Sequence, residues 1–175
     1  MSETLSKVKN WVEQIVIGQN LCPFAKRPYE ADQLKISICE GPAMTHFLDE
    51  LDLFQMSPAQ QVSNQLLIFP NEAQDFYQFY DFFCECEDAI DDLEVSDLFQ
   101  IVCFHPKFHF EGADPNERAN WVNRSPYPII HLLRFEEVEL ALSNKEEAEA
   151  ISQRNSDHLE NMSESDWNHF LSHFN

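Results

Sequence analysis

Glycine is scarce in this chain, with only three residues among 175. The sequence also lacks a phosphate-binding loop, a dinucleotide fingerprint, a catalytic-triad signature and the closed spacing of a zinc site. Glycine-rich loops allow a backbone to approach phosphate groups closely, so their absence argues against nucleotide-dependent enzymes. The 15 phenylalanines instead predict a core of large aromatic side chains.

Positive charge is the second scarcity. There are 11 basic residues against 31 acidic ones, which gives a formal net charge of -20, and none of the basic residues lies between Lys35 and Lys107. Such a field repels nucleic acid and anionic membrane surfaces, so we predict neither as a partner. The acidic run at residues 85–97 is typical of a solvated surface, and the alternative is a docking surface for a basic protein.

Long apolar runs are also missing. Residues 1–20 contain no apolar segment of the signal-peptide type, and no run is long enough to cross a bilayer. We therefore expect a cytosolic protein. The odd number of cysteines, in a chain too large to need disulfides, predicts reduced thiols.

Hydrophobic periodicity predicts nine elements in the order helix, strand, helix, strand, helix, strand, strand, helix, helix. The predicted strands cover residues 34–39, 65–69, 98–104 and 128–134. We predict a single domain over residues 1–175, of the α+β class with an α/β-like order, in which helices pack against a mixed sheet of about four strands. One detail is open, because residues 129–142 also fit a single helix.

Three helix ends are predicted from local sequence. The opening helix stops at Gly18. Asn71, with Gln74 three residues later, predicts the cap of the third helix, and Ser163 with Asp166 predicts the cap of the last one.

Histidines gather in the segment Phe104-His105-Pro106-Lys107-Phe108-His109-Phe110. If the strand continues through His109, alternation places Cys103, His105, Lys107 and His109 on one face. His105 is then a candidate general base or metal ligand. The alternative is a structural histidine bound to a backbone carbonyl.

Arginines and small polar residues form a second candidate group. Arg124 and Arg134 would bind an anion if they converge, because a guanidinium donates two parallel hydrogen bonds to a carboxylate or phosphate. Asn123 and Ser125 flank Arg124 at a proline-rich turn that would hold them rigidly. The alternative is that the arginines pair with internal carboxylates.

Cys22 is the candidate thiol. Pro23 disfavours a helix at Cys22 and so predicts a loop there, and Lys26 and Arg27 nearby would favour a thiolate. With His105 or His131 alongside, Cys22 would form a Cys-His pair or a mixed metal site. The alternative is a small buried apolar residue.

Several motifs together resemble the domain of unknown function 1415 family. They are Gly18-Gln19-Asn20-Leu21-Cys22-Pro23-Phe24-Ala25, Leu67-Ile68-Phe69-Pro70, Phe104-His105-Pro106, Asn123-Arg124-Ser125-Pro126-Tyr127-Pro128, His131-Leu132-Leu133-Arg134 and Arg154-Asn155. The resemblance implies a small soluble protein without an established activity, and it adds Arg154 and Asn155 to the candidate binding residues. Residues 151–153 depart from the family pattern, in which a proline-containing stretch precedes Arg-Asn.

These residues lead to one functional hypothesis and one alternative. We expect an enzyme or ligand-binding protein for a small anionic metabolite, in which Arg124 and Arg134 hold the anion and His105 or His131 moves a proton. Cys22 is the nucleophile or ligand, and a metal held by Cys22, His105 and His131 is a variant. No particular cofactor is specified. The alternative is a non-catalytic accessory or interaction module that uses its acidic surface.

Overall fold

The computed structural model describes residues 2–22, 25–71, 74–141 and 145–174. Its helices are α1 (Glu3–Trp11), α2 (Lys26–Glu30), α3 (Ala43–Met56), α4 (Phe76–Asp92), α5 (Phe135–Ala141), α6 (Lys145–Glu160) and α7 (Glu164–Ser172). Its strands are β1 (Leu34–Ile38), β2 (Asn64–Ile68), β3 (Phe99–Phe104) and β4 (Ile129–Arg134). A π-helical segment (Val12–Ile17) extends α1, and a 3₁₀ segment (Arg118–Asn123) lies between β3 and β4.

The four strands form one mixed sheet in the order β1-β2-β4-β3. β1 and β2 are parallel, whereas β4 runs antiparallel to both of its neighbours. The predicted α+β fold with a four-stranded mixed sheet and packed helices is therefore confirmed. Over residues 129–141 the chain forms β4 and then α5, so the single-helix alternative is wrong; residue 142 lies outside the described part.

Helices cover both faces of this sheet. Because side chains alternate along each strand, the strands supply two separate apolar clusters. One cluster packs under α3 and α4 and is called here the α4 face. The other packs under α1, α6, α7 and the 3₁₀ segment and is called the α1 face.

Two helix starts test the predicted caps. α7 begins after Ser163, whose Oγ accepts a hydrogen bond from the Asp166 N–H at 3.2 Å, as predicted. α4 begins at Phe76, and its cap is Asp75, which accepts from two backbone N–H groups of the first turn. The predicted cap at Asn71 is wrong, because the helix starts one turn later and Asp75 also places negative charge at its N-terminus.

The π-helical segment explains one of the three glycines. The predicted opening helix does reach Gly18, but its last six residues widen into the π form. A Cβ at Gly18 would lie 2.4 Å from the Gln14 carbonyl oxygen, so only glycine fits this close approach. Every helix in the described ranges is too short or too polar to span a bilayer.

Candidate functional site

A small cavity lies beside the π-helical end of α1, on the α1 face. Its volume is about 40 Å³, and apolar side chains such as Trp11 and Phe104 form most of its lining. Its polar residues are Cys22, Asn64 and His131. Sequence patterns had not singled out Asn64, which belongs to β2. The structure thus brings together two of the three predicted catalytic residues.

His131 supplies the imidazole of this cavity. It lies in β4, directly opposite Leu66 of β2. The residue as a whole is half-buried, but Nε2 is fully buried and has no hydrogen-bond partner among the described residues. Burial lowers the pKa of His131 to about 4, so the imidazole is neutral at pH 7. A neutral imidazole can accept a proton at one nitrogen and donate one from the other.

The loop that carries Cys22 is held in place by α6. Asn20 adopts the left-handed conformation, with φ 54°, which asparagine tolerates better than most residues. Arg154 Nη2 donates to the Asn20 carbonyl at 2.8 Å, and Asn155 Nδ2 donates to the Leu21 carbonyl at 2.6 Å. Arg154 and Asn155 therefore position the loop at the cavity. Pro23, the next residue of the motif, lies outside the described residues.

β3 ends before the histidine segment. Its last residue is Phe104, so the prediction that the strand continues through His109 is wrong. Pro106 has no N–H to give to a sheet ladder. The chain turns instead, and the Phe108 N–H donates to the His105 carbonyl at 3.0 Å. The predicted row of polar side chains along one strand face does not form.

His105 lies inside this turn and is only 1% exposed. Its Nδ1 accepts a hydrogen bond from the Lys107 N–H at 3.0 Å, which places the proton of a neutral ring on Nε2. The ring centroid lies 5.5 Å from Phe76 and 5.6 Å from Phe79. His105 therefore packs on the α4 face and stabilises the turn.

The predicted metal site is not assembled. Cys22 and His131 share the cavity on the α1 face, while His105 packs against α4 on the other side of the sheet. In the ranges that the structure describes, no three His, Cys, Asp or Glu side chains are grouped to hold a metal ion. The sequence pattern lacked the register of β3 against β4, which pairs Val102 with His131. That register puts His131 on the face of Phe104, whereas His105 shares the opposite face with Cys103.

Arg124 binds the loop that follows β3. Its Nε donates to the Phe108 carbonyl at 3.0 Å, and its Nη2 donates to the Pro115 carbonyl at 2.6 Å. The guanidinium lies 4.6 Å from the ring centroid of Trp121. These contacts tie the loop to the 3₁₀ segment.

The neighbours of Arg124 also bind backbone groups. Asn123 Nδ2 donates to the Cys103 carbonyl at 3.3 Å, and the Asn123 carbonyl accepts from the His105 N–H at 3.1 Å. Ser125 is buried, and its Oγ donates to the Tyr127 carbonyl at 2.5 Å. Both side chains hold the chain between β3 and β4 in position.

Arg134 binds the end of α3. Its Nε donates to the Val62 carbonyl at 3.1 Å, and its Nη2 donates to the carbonyls of Phe54 and Ser57 at 2.8 and 2.6 Å. It thereby satisfies carbonyls that a helix C-terminus leaves without partners. Arg134 ends β4, whereas Arg124 precedes β4 and lies beside the loop after β3. The two do not converge, so the predicted anion clamp is not formed.

Sequence analysis missed a second polar cluster, on the α4 face near β1. Ser37 Oγ lies 3.2 Å from His46 Nε2, while Glu50 accepts hydrogen bonds from Lys35 at 2.7 Å and Gln65 at 2.5 Å. Burial alone would raise the pKa of Glu50, but these two hydrogen bonds lower it overall. Gln65 is the first residue of the strand predicted at residues 65–69, in which the other residues are apolar. The helical i, i+4 spacing of His46 and Glu50 was the available signal.

Comparison with known proteins places the chain in a family. A family model described as a protein of unknown function, DUF1415, matches residues 3–169. The chain belongs to the DUF1415 family. The resemblance noted in the sequence is thus confirmed over nearly the whole chain. A search of curated proteins and a search of solved structures each found no match.

Proposed function

We propose that this DUF1415 protein binds and transforms a small molecule through a thiol-imidazole pair, Cys22 and His131. The observation that carries the proposal is the buried His131 Nε2 without a hydrogen-bond partner in the described chain, in a residue that shares its cavity with Cys22. Leaving a buried polar atom without a partner costs about 1–3 kcal/mol. Because this cost lowers the stability of the fold, a role for the neutral imidazole in a reaction explains it better than a structural role does.

In this proposal Cys22 is the nucleophile and His131 the proton acceptor. The sulfur adds to an unsaturated electrophilic carbon of the substrate, such as a carbonyl carbon. The π electron pair of that carbon moves to the attached oxygen, and the thiol proton passes to the imidazole. Because the lining is mostly apolar, His131 is neutral at rest, and it gains charge only as it takes the thiol proton. Asn64, a third polar residue of the lining, is available to orient the reacting group.

The cavity sets a limit on the ligand. A volume of about 40 Å³ accepts only a small reacting group or a few water molecules. The remainder of a metabolite would lie outside, near Ala25, which lines the cavity and is followed by the exposed residues Lys26 and Arg27. These two cations favour an anionic molecule, in place of the predicted clamp of Arg124 and Arg134. We also place the protein in the cytosol, where its thiols stay reduced.

The test is the rate at which each cysteine reacts with methyl methanethiosulfonate, followed by peptide mass spectrometry. Cys84 is the internal control, because it is also partly exposed but burial and nearby carboxylates raise its pKa. We expect Cys22 to react faster than Cys84 at pH 7. The change His131→Phe should slow Cys22 by at least about tenfold, since general-base assistance typically contributes 10²–10⁴.

Two controls make this result specific to the pair. The same substitution at exposed His169 should leave the rate of Cys22 unchanged, and circular dichroism should show that both variants fold. If Cys22 reacts as slowly as Cys84, or if His131→Phe leaves its rate unaltered, the proposed pair is wrong. If Cys22 and His131 behave as expected, thermal-shift screening of small carboxylates and phosphates identifies the substrate class. The screen is repeated with Lys26→Gln and Arg27→Gln.

A further inference from the structure

An open groove lies beside the N-terminal half of α4, away from the Cys22 cavity. Its volume is about 690 Å³, which is in the range of ligand-binding clefts. Its lining includes Tyr77, Tyr80, Phe108, Phe110 and Pro115. Tyr77 is 64% exposed, Tyr80 45% and Phe110 37%, so the groove presents aromatic rings to solvent. We call it the α4 groove.

The exposed side of α4 continues from this groove as an acidic stripe. Tyr77, Tyr80, Asp81, Asp88 and Asp91 follow the three- and four-residue spacing that places side chains on one helix face. All five are exposed. The stripe therefore begins with two tyrosines at the α4 groove and continues with carboxylates toward the helix C-terminus.

The negative charge reaches the groove itself. Glu111 lines it directly. The groove is thus mostly apolar in its lining and carries a carboxylate beside the acidic face of α4.

No cation of this chain neutralises the stripe within the residues that the structure describes. The ion pairs there join Lys7 to Glu3, Lys26 to Glu30, Lys35 to Glu50 and Arg118 to Glu164. None of them involves α4. An acidic helix face whose described carboxylates form no ion pair, joined to an open aromatic groove, is complementary to a partner that carries both positive charge and an apolar anchor.

We propose that the α4 groove and its acidic stripe bind a basic polypeptide segment of another protein, with an aromatic or aliphatic side chain in the groove. Lysines or arginines of that segment lie along α4. The helix has 17 residues, or about 25 Å of length, which matches about seven or eight residues of extended chain. This role is independent of Cys22 and His131, which lie on the other face of the sheet.

The test uses fluorescence anisotropy with two labelled peptides and the intact protein. One peptide has Trp-Leu at its centre and lysines on both sides, and the other has Ser-Ser in place of Trp-Leu. We expect the first peptide to bind roughly tenfold more tightly, because the groove buries its anchor. Binding of both should weaken as salt rises.

Matched variants separate the groove from the charge. The pair Tyr77→Ser with Tyr80→Ser should remove the preference for Trp-Leu, whereas Met56→Ser, at an 80% exposed residue of α3, should not. The triple change Glu87→Gln, Asp88→Asn and Asp91→Asn should weaken both peptides. The same loss of charge at Glu40, Asp49 and Asp52 should have a smaller effect.

Three results would overturn the proposal. The first is no binding of either peptide, and the second is equal binding of both, which would indicate attraction to charge alone. The third is light scattering that gives a dimer in solution together with protection of Tyr77 and Tyr80, because a second copy of this chain would then occupy the groove.

Discussion

The cavity on the α1 face and the α4 groove differ in size, access and the state of their polar groups. The cavity is small and contains a buried imidazole nitrogen that has no hydrogen-bond partner in the described part of the chain, whereas the groove is more than ten times larger and opens to solvent. In the groove, His109 Nε2 and the Tyr77 hydroxyl are hydrogen-bonded at 3.1 Å. Desolvation therefore controls the chemistry of the cavity, whereas apolar area and surface charge control what binds in the groove.

The two regions also differ in charge along the sequence. Residues 1–35, which contribute Trp11 and Cys22 to the cavity, carry Lys7, Lys9, Lys26, Arg27 and Lys35. Residues 36–106, which include α4, carry no basic residue. An anionic small molecule is thus better suited to the first region and a cationic partner to the second.

The largest expected effect concerns His131 and the pH dependence of stability. Its pKa is about 4 in the folded protein and about 6.5 when unfolded, so the unfolded state binds more protons between these values. Stability should therefore be full above pH 6.5 and fall as the pH drops toward 4. His131→Phe should remove up to roughly 3 kcal/mol of that loss at pH 4.

Urea unfolding from pH 7 to pH 4 measures this difference, with His169→Phe as the control that should follow the wild-type curve. The difference between His131→Phe and wild type cancels the titration of the many carboxylates. If the stability of His131→Phe and that of the wild type fall by the same amount from pH 7 to pH 4, His131 is not desolvated. The contrast between cavity and groove would then disappear.

A smaller effect is expected at the π-helical segment beside the cavity. Gly18→Ala should destabilise the protein by about 1–3 kcal/mol, because a Cβ would meet the Gln14 carbonyl oxygen at 2.4 Å. Gly41→Ala is the matched control, since a Cβ there meets no atom of the described residues within 4 Å. Its effect should stay within about 0.5 kcal/mol. Thermal unfolding of both variants decides the point, and equal costs would contradict the close approach.

The smallest effect tests the difference in charge. Burial and the like charges of Asp88 and Asp91 raise the pKa of Glu87, so its ionised form opposes folding at neutral pH. Glu87→Gln should stabilise the protein by about 0.2–0.5 kcal/mol. Glu30→Gln, which removes the ion pair with Lys26, should have the opposite sign and a similar size. High salt should abolish the effect of Glu30→Gln, whereas the part of the Glu87→Gln effect that comes from burial should remain. Effects of the same sign at low salt would contradict the contrast in charge.

Sequence patterns predicted the four strands and most of the helices because those elements bury one face each. Their errors fell where tertiary contacts compete with local pattern. The short helix α2 and the 3₁₀ segment had no periodic signal. Both Asn71 and Asp75 are able to cap a helix, and α4 begins after Asp75 rather than after Asn71.

The candidate site shows the same division. The sequence pointed to Cys22, His131 and Asn155, and the structure places them in or beside one cavity, but their neighbours were not predictable. The sequence predicted an anion clamp formed by Arg124 and Arg134. Both side chains instead donate to backbone carbonyls that the local sequence leaves unsatisfied. Which carbonyls need a donor is decided by where helices and loops end in space.

The sequence by itself determined the acidic character of the chain, its aromatic core, its sheet and its family, because composition and periodicity record burial directly. Only the tertiary structure decided which polar residues meet. The pairing of β3 with β4 places His131 on the α1 face, while His105, two residues after Cys103, lies on the α4 face. Desolvation of a buried group depends on all the elements packed around it, so the neutral His131 and its cavity exist only in the folded chain.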